Sequence, residues 1–369
     1  MRGATLFSGG GGVEARLKDL IDFRYAVEYD PAIAAVYRAN HGDHIQVARV
    51  EDVDYSTWGA LDYLHASPVC KEFSQAKTGG IEGDGDISSA LAVVRCLEAT
   101  QPRVVTLENV GGYARSESYR LICQALDRGG YMWHAEVLNS ADFGVAQTRR
   151  RLILRAVRDS LLPGLPAPAK WVGWYAAIED LIPGLPDSKF ADWQLARLPG
   201  EMNESLLLDC MFSGSKDEQG NRAATDRKPH EPAMVVTATS YPRRPMRAFI
   251  VAQGCYGAAL VTAPHDAPVF AVTANSNQSN VKALLTVGDG DRSLTTGRHL
   301  SPSPTVSSAN GARAWLSQGR VVKMTARALA RFQSLPDSYL LPDRSSLACT
   351  IIGNAVPSLL MREIVRPLL

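Results

Sequence analysis

Several things are scarce in this chain of 369 residues, and each scarcity removes a class of function. It holds no unbroken run of about 18 apolar residues, so no membrane span is expected. The opening MRGATLFSGGGG has no charged stretch leading into an apolar one, so no secretory signal is expected there. The six cysteines, at 70, 96, 123, 210, 255 and 349, never stand as CxxC, and their scatter argues against a zinc site or a disulfide framework. His41 and His44 are close together, but no neighbouring Cys completes a ligand set. The expectation is a reduced, cytoplasmic protein with no metal. Net charge is scarce too. The 39 basic and 38 acidic side chains leave +1, so the molecule as a whole is no polyanion binder. Arg222, Arg227, Lys228, Arg243, Arg244 and Arg247 do gather locally, as a solvated surface or as a face for a phosphate backbone.

The chain is long enough for two domains, since single cores stop growing near ~250–300 residues. Its first half alternates strand and helix. Gly3–Phe7 reads as a strand, Gly9–Gly12 as a turn, and Val13–Leu20 as the start of a helix. Tyr25–Glu28, Ala60–Ala66, Arg103–Leu107, Tyr131–Leu138 and Arg151–Val157 read as further strands, with helices over Pro31–Asn40, Ser88–Ala99 and Ser118–Arg128. This alternation predicts an α/β fold with a parallel sheet, whose ligands gather at the strand C-terminal ends. The Gly9–Gly12 turn, Glu28, Cys70 and Glu108 all follow predicted strands and so should share one edge.

Pro-rich punctuation at Leu161–Pro168 and Pro183–Pro186, around a helical patch at Trp174–Leu181, marks the exit from a first domain over residues 1–186. Residues 187–320 read as a smaller β-rich domain. It carries a weak internal repeat led by Pro232, Pro268 and Pro302, spaced 36 and 34 residues apart. Residues 321–369 return to the first domain. They include a helix over Thr325–Gln333 with a Thr cap, and a final helix opened by Ile351–Pro357.

Phe7-Ser-Gly9-Gly-Gly11-Gly12, between a strand and a helix, has the context of a nucleotide-binding turn. Glu28, ending the next strand, stands where an acid takes a ribose hydroxyl. No P-loop Lys is present, which disfavours triphosphate hydrolysis. Cys70 sits in His65-Ala-Ser67-Pro-Val69-Cys-Lys71-Glu-Phe-Ser74, a Pro-led turn after an apolar run, which suits a mounted nucleophile. A lone Cys is more often a buried core residue. Glu108, in Leu107-Glu108-Asn109-Val110, can bring an acid to the same edge. Arg149 and Arg151 share a face by strand alternation, with Arg150 opposite. They could grip a phosphate and a base carbonyl, or form a basic edge strand.

Taken in order, Phe7–Gly12, Glu28-Tyr29-Asp30, Asp52-Val53, Ser67–Ser74, Glu108-Asn109-Val110, Gln147–Arg151, Thr325–Asp337 and Gly353–Val356 resemble the motifs of the DNA cytosine-5 methyltransferases. The resemblance covers most of the first domain and the C-terminal segment. It implies a Rossmann-like, S-adenosylmethionine-dependent methyltransferase domain with a smaller β-rich target recognition domain. By resemblance, Phe7, Gly9, Gly11 and Gly12 cradle S-adenosylmethionine, Glu28 holds its ribose, and Tyr29, Asp52 and Val53 its adenine. Asn354 and Val356, with the helix that follows, close the pocket. The target cytosine is flipped out. Cys70 attacks its C6, Glu108 serves N3, Arg151 holds O2, and Arg149 supports the loop or a phosphate. Asn109 orients the loop, and Lys77–Gly85 is the lid. Double-stranded DNA is the implied partner, with a cognate restriction endonuclease as a candidate. Three positions depart from the family pattern: Val69 and Lys71 flank the Cys in place of Pro and Gln, and Thr5 replaces the acid heading the first motif. An RNA-directed relative and a lapsed DNA-binding protein stay open as alternatives, as does a modified methyl donor.

Overall fold

The computed structural model describes residues 1–68, 83–188, 206–209, 225–227, 230–233, 247–251 and 319–369. The chain divides into two compact units. One comprises Met1–Val172, Val235–Ala238 and Leu329–Leu369, and the other Gly173–Met234 and Thr239–Ala328.

The first unit is built on a seven-stranded sheet: β1 (Arg2–Leu6), β2 (Asp22–Glu28), β3 (Ile45–Val47), β4 (Tyr63–Ala66), β5 (Val104–Asn109), β6 (Tyr131–Asn139) and β7 (Arg150–Arg158), in the order β3-β2-β1-β4-β5-β7-β6. Every residue of β4 and β5 is buried, as expected for strands covered on both faces. The helices follow their capping signals. In α1 (Pro31–His41), Asp30 accepts from the N–H groups of Ala32 and Ile33 at 2.8 and 3.2 Å, and Pro31 fills a first-turn position that needs no donor. α2 (Asp84–Thr100) and α3 (Glu117–Arg128) lay apolar faces on the sheet, α3 starting where Ser116 Oγ accepts from Tyr119 N–H.

The sheet departs from the sequence expectation in two respects, the first being the additional short edge strand β3. β1 to β5 pair in parallel, but β7 runs antiparallel to both β5 and β6. Only residues 140–149 join β6 to β7, too few for a parallel crossover, so the chain doubles back as a hairpin. The expected helix over Val13–Leu20 is reduced to a 3₁₀ turn at Glu14–Arg16 flanked by turns. There the N–H groups of Leu17 and Lys18 share one acceptor, the Glu14 carbonyl, at 3.0 and 3.1 Å. The apolar spacing still works, because Val13, Leu17 and Ile21 are all buried in one cluster.

After the helix α5 (Ala326–Phe332), the C-terminal segment holds α6 (Ser345–Asn354) and α7 (Ser358–Val365). The run Ile351–Asn354 thus ends one helix rather than opening the last. Pro357 disfavours helical backbone at Val356, and the final helix begins only at Ser358. The span Ser345–Leu368 is long and apolar enough to cross a membrane by composition. In this fold it is broken between the two helices, and about two-thirds of its most apolar stretch is buried.

In the second unit, α4 (Trp174–Ile178) precedes a four-stranded antiparallel sheet ordered β11-β10-β8-β9, from β8 (Leu206–Asp209), β9 (Thr225–Arg227), β10 (Arg247–Val251) and β11 (Gly319–Lys323). Apart from Pro232 and Ala233, the repeated stretches lie outside the described residues.

Candidate active site

The C-terminal ends of the parallel strands open onto a cavity of about 1010 Å³ within the first unit. Its β1–β2 side is made largely of backbone. Phe7 turns the chain with a positive φ of 58°, followed by Gly9 at 55° and Gly11 at 83°. Phe7, Gly9, Gly10 and Gly12 line the wall, whereas Gly11 faces inward, where a Cβ would stand 2.2 Å from the His41 ring. Glu28, nearly buried, spans the turn. Its two oxygens accept from Gly9 N–H at 3.0 Å and Asp30 N–H at 2.9 Å, while burial raises its carboxyl above the ordinary range. Tyr29 stands exposed on the same wall.

The loop after β3 reaches the wall at a different register from the one read in sequence. Ala48, Arg49, Val50 and Glu51 line the cavity, whereas Asp52 and Val53 are not among its lining residues. Asp52 is exposed on a 3₁₀ turn, and Val53 packs into the core beneath it. Asn354, Ala355 and Val356 complete this side from the break between α6 and α7.

The β5–β7 side is built from charged side chains. Glu108, nearly buried at the end of β5, accepts from Arg151 Nε at 3.0 Å. The expected alternation holds across the start of β7, with Arg149, just before the strand, and Arg151 on the cavity and Arg150 exposed. Arg149 is buried, and its Nη1 donates to Gly353 O at 3.1 Å. Desolvation lowers its pKa to about 9, with Arg151 adding repulsion. Asn109 Nδ2 donates to Pro68 O at 3.0 Å, tying β5 to the stretch that leads to Cys70.

Cys70 itself, with Val69, Lys71 and the lid residues 77–82, lies outside the described residues. Cys96, Cys123 and Cys349 are buried, and burial pushes the Cys96 and Cys123 thiols up to about 12 and about 11. None of these three lines the cavity. Among the described residues no cluster of His, Cys, Asp or Glu could hold a metal.

Two features were not legible in the sequence. Thr5, where the resemblance places an acid, donates from Oγ1 to Glu14 Oε1 at 2.5 Å. A carboxyl therefore stands behind the turn after all, contributed from nine residues later; burial raises its pKa to about 7. Gln147 is the second. Its Nε2 donates to Gln333 Oε1 at 2.7 Å, and Gln333 Nε2 donates to the carbonyls of Ile352 and Ala355 at 2.9 and 2.7 Å. These amides carry the α6–α7 break to the cavity. A glutamine three residues after a glycine gives no local sign of such a partner.

The strand order, the glycine turn and the acid closing β2 define a Rossmann-like fold of the S-adenosylmethionine-dependent methyltransferase class. Two solved structures share it over nearly their whole length. The S. pombe Dnmt2 methyltransferase has a TM-score of 0.59 and 14% identity, covering 100% of this chain and 99% of that one. A putative DNA modification methyltransferase encoded within an E. coli prophage has a TM-score of 0.58 and 13% identity, covering 99% and 97%. The chain belongs to the C-5 cytosine-specific DNA methylase family, whose profile matches residues 1–369. Among curated relatives, the type II methyltransferase M.NlaX of Neisseria lactamica is 29% identical over 194 residues, or 50% of this chain and 60% of that protein. M.HhaI of Haemophilus parahaemolyticus is 28% identical over 166 residues, 44% of this chain and 50% of that protein. The chain thus spans roughly half the length of the curated relatives it matches.

Proposed function

We propose that this chain methylates C5 of a cytosine within a specific sequence of double-stranded DNA, with S-adenosylmethionine as donor. The observation that carries the reading is the pairing of Glu108 with Arg151 at 3.0 Å, in the cavity whose other side is the glycine turn spanned by Glu28. The cavity fits such a donor: a positive-φ turn lets backbone approach a ligand closely, and the Glu28 carboxyl stands where a ribose diol would be received. Phe7, Gly9, Gly12, Glu28, Tyr29, Val50, Asn354 and Val356 would hold it. When bound, S-adenosylmethionine supplies an electrophilic methyl group.

The chain's own residues supply the rest. A stacked cytosine hides C6, so the base must leave the helix. The Cys70 thiolate adds to C6, and Glu108 gives a hydrogen bond or proton at N3, which makes C5 nucleophilic. Arg151 holds O2 and orients Glu108. After transfer, loss of the C5 proton and β-elimination free Cys70. Arg149, committed to the Gly353 carbonyl, supports the loop. Residues 187–320 serve as the target recognition domain, since reading base edges takes a sizeable surface. The setting is the bacterial or phage-infected cytoplasm, with a restriction endonuclease as candidate partner.

The test uses duplex DNA carrying 5-fluorocytosine, where fluorine at C5 blocks elimination. The enzyme should become covalently fixed to the duplex, and Cys70→Ala should form no adduct and lose methyl transfer by on the order of 10⁴-fold or more. Transfer at full rate by Cys70→Ala, or active enzyme that forms no adduct, would sink the mechanism. Methylation of structured RNA but not of duplex DNA would redirect the substrate.

A further inference from the structure

Behind the cavity wall runs a file of polar side chains that the mechanism above does not use. Tyr63 and His65 on β4 and Thr106 on β5 are all buried, and Ser67 is half-buried at the cavity. Tyr63 Oη lies 2.7 Å from Thr106 Oγ1, Thr106 Oγ1 lies 2.8 Å from His65 Nδ1, and His65 Nε2 lies 2.8 Å from Ser67 Oγ. Strand geometry sets this up. Tyr63 and His65 share a face of β4 by alternation, and His65 stands opposite Thr106 in the parallel pairing with β5. Burial drives the His65 imidazole down to about 3, so at neutral pH the ring is uncharged and carries one N–H.

The direction of each hydrogen bond follows from counting protons. Tyr63, Thr106 and neutral His65 bring one side-chain proton each, and the file offers three contacts. Among the described residues these are their only side-chain hydrogen bonds. A buried donor without an acceptor is costly, so each proton must occupy one contact. Tyr63, at the closed end, can give only to Thr106. Thr106 must then give to His65 Nδ1, which places the ring proton on Nε2 and directs it to Ser67 Oγ. The proton left over is that of Ser67. It belongs to the member of the file at the open end, half-buried on the cavity wall, where His65 also borders the cavity but is itself buried. The residue after Ser67 is fixed as well, because Asn109 holds the Pro68 carbonyl.

The strand order says what passes this hydroxyl. On the reading proposed above, on which this inference rests, adenosine lies over the ends of β2 and β3, and the cytosine lies over β5 and β7. The order β3-β2-β1-β4-β5-β7 leaves the ends of β1 and β4 for the amino-acid portion of the methyl donor. Ser67 stands there, its backbone N–H on Leu6 O at 3.4 Å, one residue before the cofactor turn begins. The ammonium and sulfonium of that portion accept no hydrogen bond, and its α-carboxylate does. The base's own acceptors, O2 and N3, are served by Arg151 and Glu108.

We propose that the Ser67 hydroxyl, its proton held outward by the Tyr63–Thr106–His65 file, donates to the α-carboxylate of the bound methyl donor, with His65 as the positioning residue. The carboxylate is thereby gripped by a neutral donor in a wall otherwise rich in acids, Glu14, Glu28, Glu51 and Glu108 among them. Position 67 adds affinity for the donor without adding a cation near the sulfonium.

Calorimetry on the full-length enzyme tests this with two ligands, S-adenosylhomocysteine and its decarboxylated aminopropyl analogue. Binding of S-adenosylhomocysteine by the wild type checks the underlying reading independently. Ser67→Ala should then bind S-adenosylhomocysteine about tenfold more weakly and the analogue with unchanged affinity. Equal weakening of both ligands marks a structural role, and no weakening of either, with methyl transfer reduced, assigns the hydroxyl to the base; both outcomes overturn the proposal. Nitrogen-15 shifts of the His65 ring provide a readout independent of ligand. They should report a neutral Nε2–H tautomer across the physiological range, and an Nδ1–H tautomer would overturn the file's direction.

Discussion

The two sides of the cavity are built from different materials. On the β1–β2 side, the surface offered to a ligand is mostly backbone, and Glu28 acts partly on that backbone by holding Gly9 and Asp30 N–H groups. On the β5–β7 side, the surface is an acid and two guanidiniums fixed by side-chain and carbonyl contacts. The difference matches the chemistry that the proposed function asks of each. A donor that is only held needs shape and a few hydrogen bonds, which a positive-φ turn supplies cheaply. A base that is to be protonated and attacked needs charge at defined atoms, which only side chains provide.

If the sides are separable in function, substitutions should separate them too. The largest effect is expected from Glu108→Gln, which should lower kcat by roughly 10²–10⁴-fold while calorimetry shows S-adenosylhomocysteine binding unchanged. A parallel loss of donor affinity would show that the two sides act as one. Glu28→Ala should do the opposite, weakening S-adenosylhomocysteine about 10–100-fold, since it removes charged hydrogen bonds to ligand and turn alike. Unaltered binding would remove Glu28 from the donor site. Arg149→Met should act on the scaffold that joins the sides. Depriving the Gly353 carbonyl of its donor should lower unfolding free energy by about 1–3 kcal/mol, read by denaturant titration.

The smallest effect concerns Glu14. Its folded pKa of about 7 lies above the ordinary 4.5, so the folded chain holds this proton after the unfolded chain has released it. Its contribution to stability is therefore fully present below about pH 4.5 and is lost as pH rises through about 7. Glu28 is shifted in the same direction, whereas the buried imidazoles of His41 and His65, lowered to about 4 and about 3, favour stability as pH rises toward 6.5. Glu14→Gln keeps an amide where the neutral acid stood. Unfolding curves of the variant, taken against wild type from pH 4.5 to 7, should show that the downward component is gone. Identical pH slopes for the two proteins would refute the assignment.

What could be read from the sequence divides along the same line as the cavity. The glycine turn, Glu28 and Glu108 were legible because each sits at a strand end, and strand ends show in apolar periodicity. The alternation of Arg149 and Arg151 was legible for the same reason. The antiparallel β7 was not, since a strand looks alike in either direction and only the short 140–149 link betrays its sense. The wall residues Val50 and Glu51 were displaced in the reading to Asp52 and Val53, because a 3₁₀ turn has no period to set register. Glu14 and the Gln147–Gln333 pair escaped for a different reason. Their partners are set by tertiary approach, in the second case across 186 positions.

The contact between Arg149 and the Gly353 carbonyl has a consequence for the order of events during synthesis. The glycine turn, the acid of β2 and the Glu108–Arg151 pair are all translated within the first 151 residues, but the carbonyl that anchors Arg149 arrives with residue 353. A chain emerging from the ribosome therefore has its chemistry long before it has the strap that steadies it. A polypeptide that stops before residue 353 carries these motifs without the carbonyl that holds Arg149 in place.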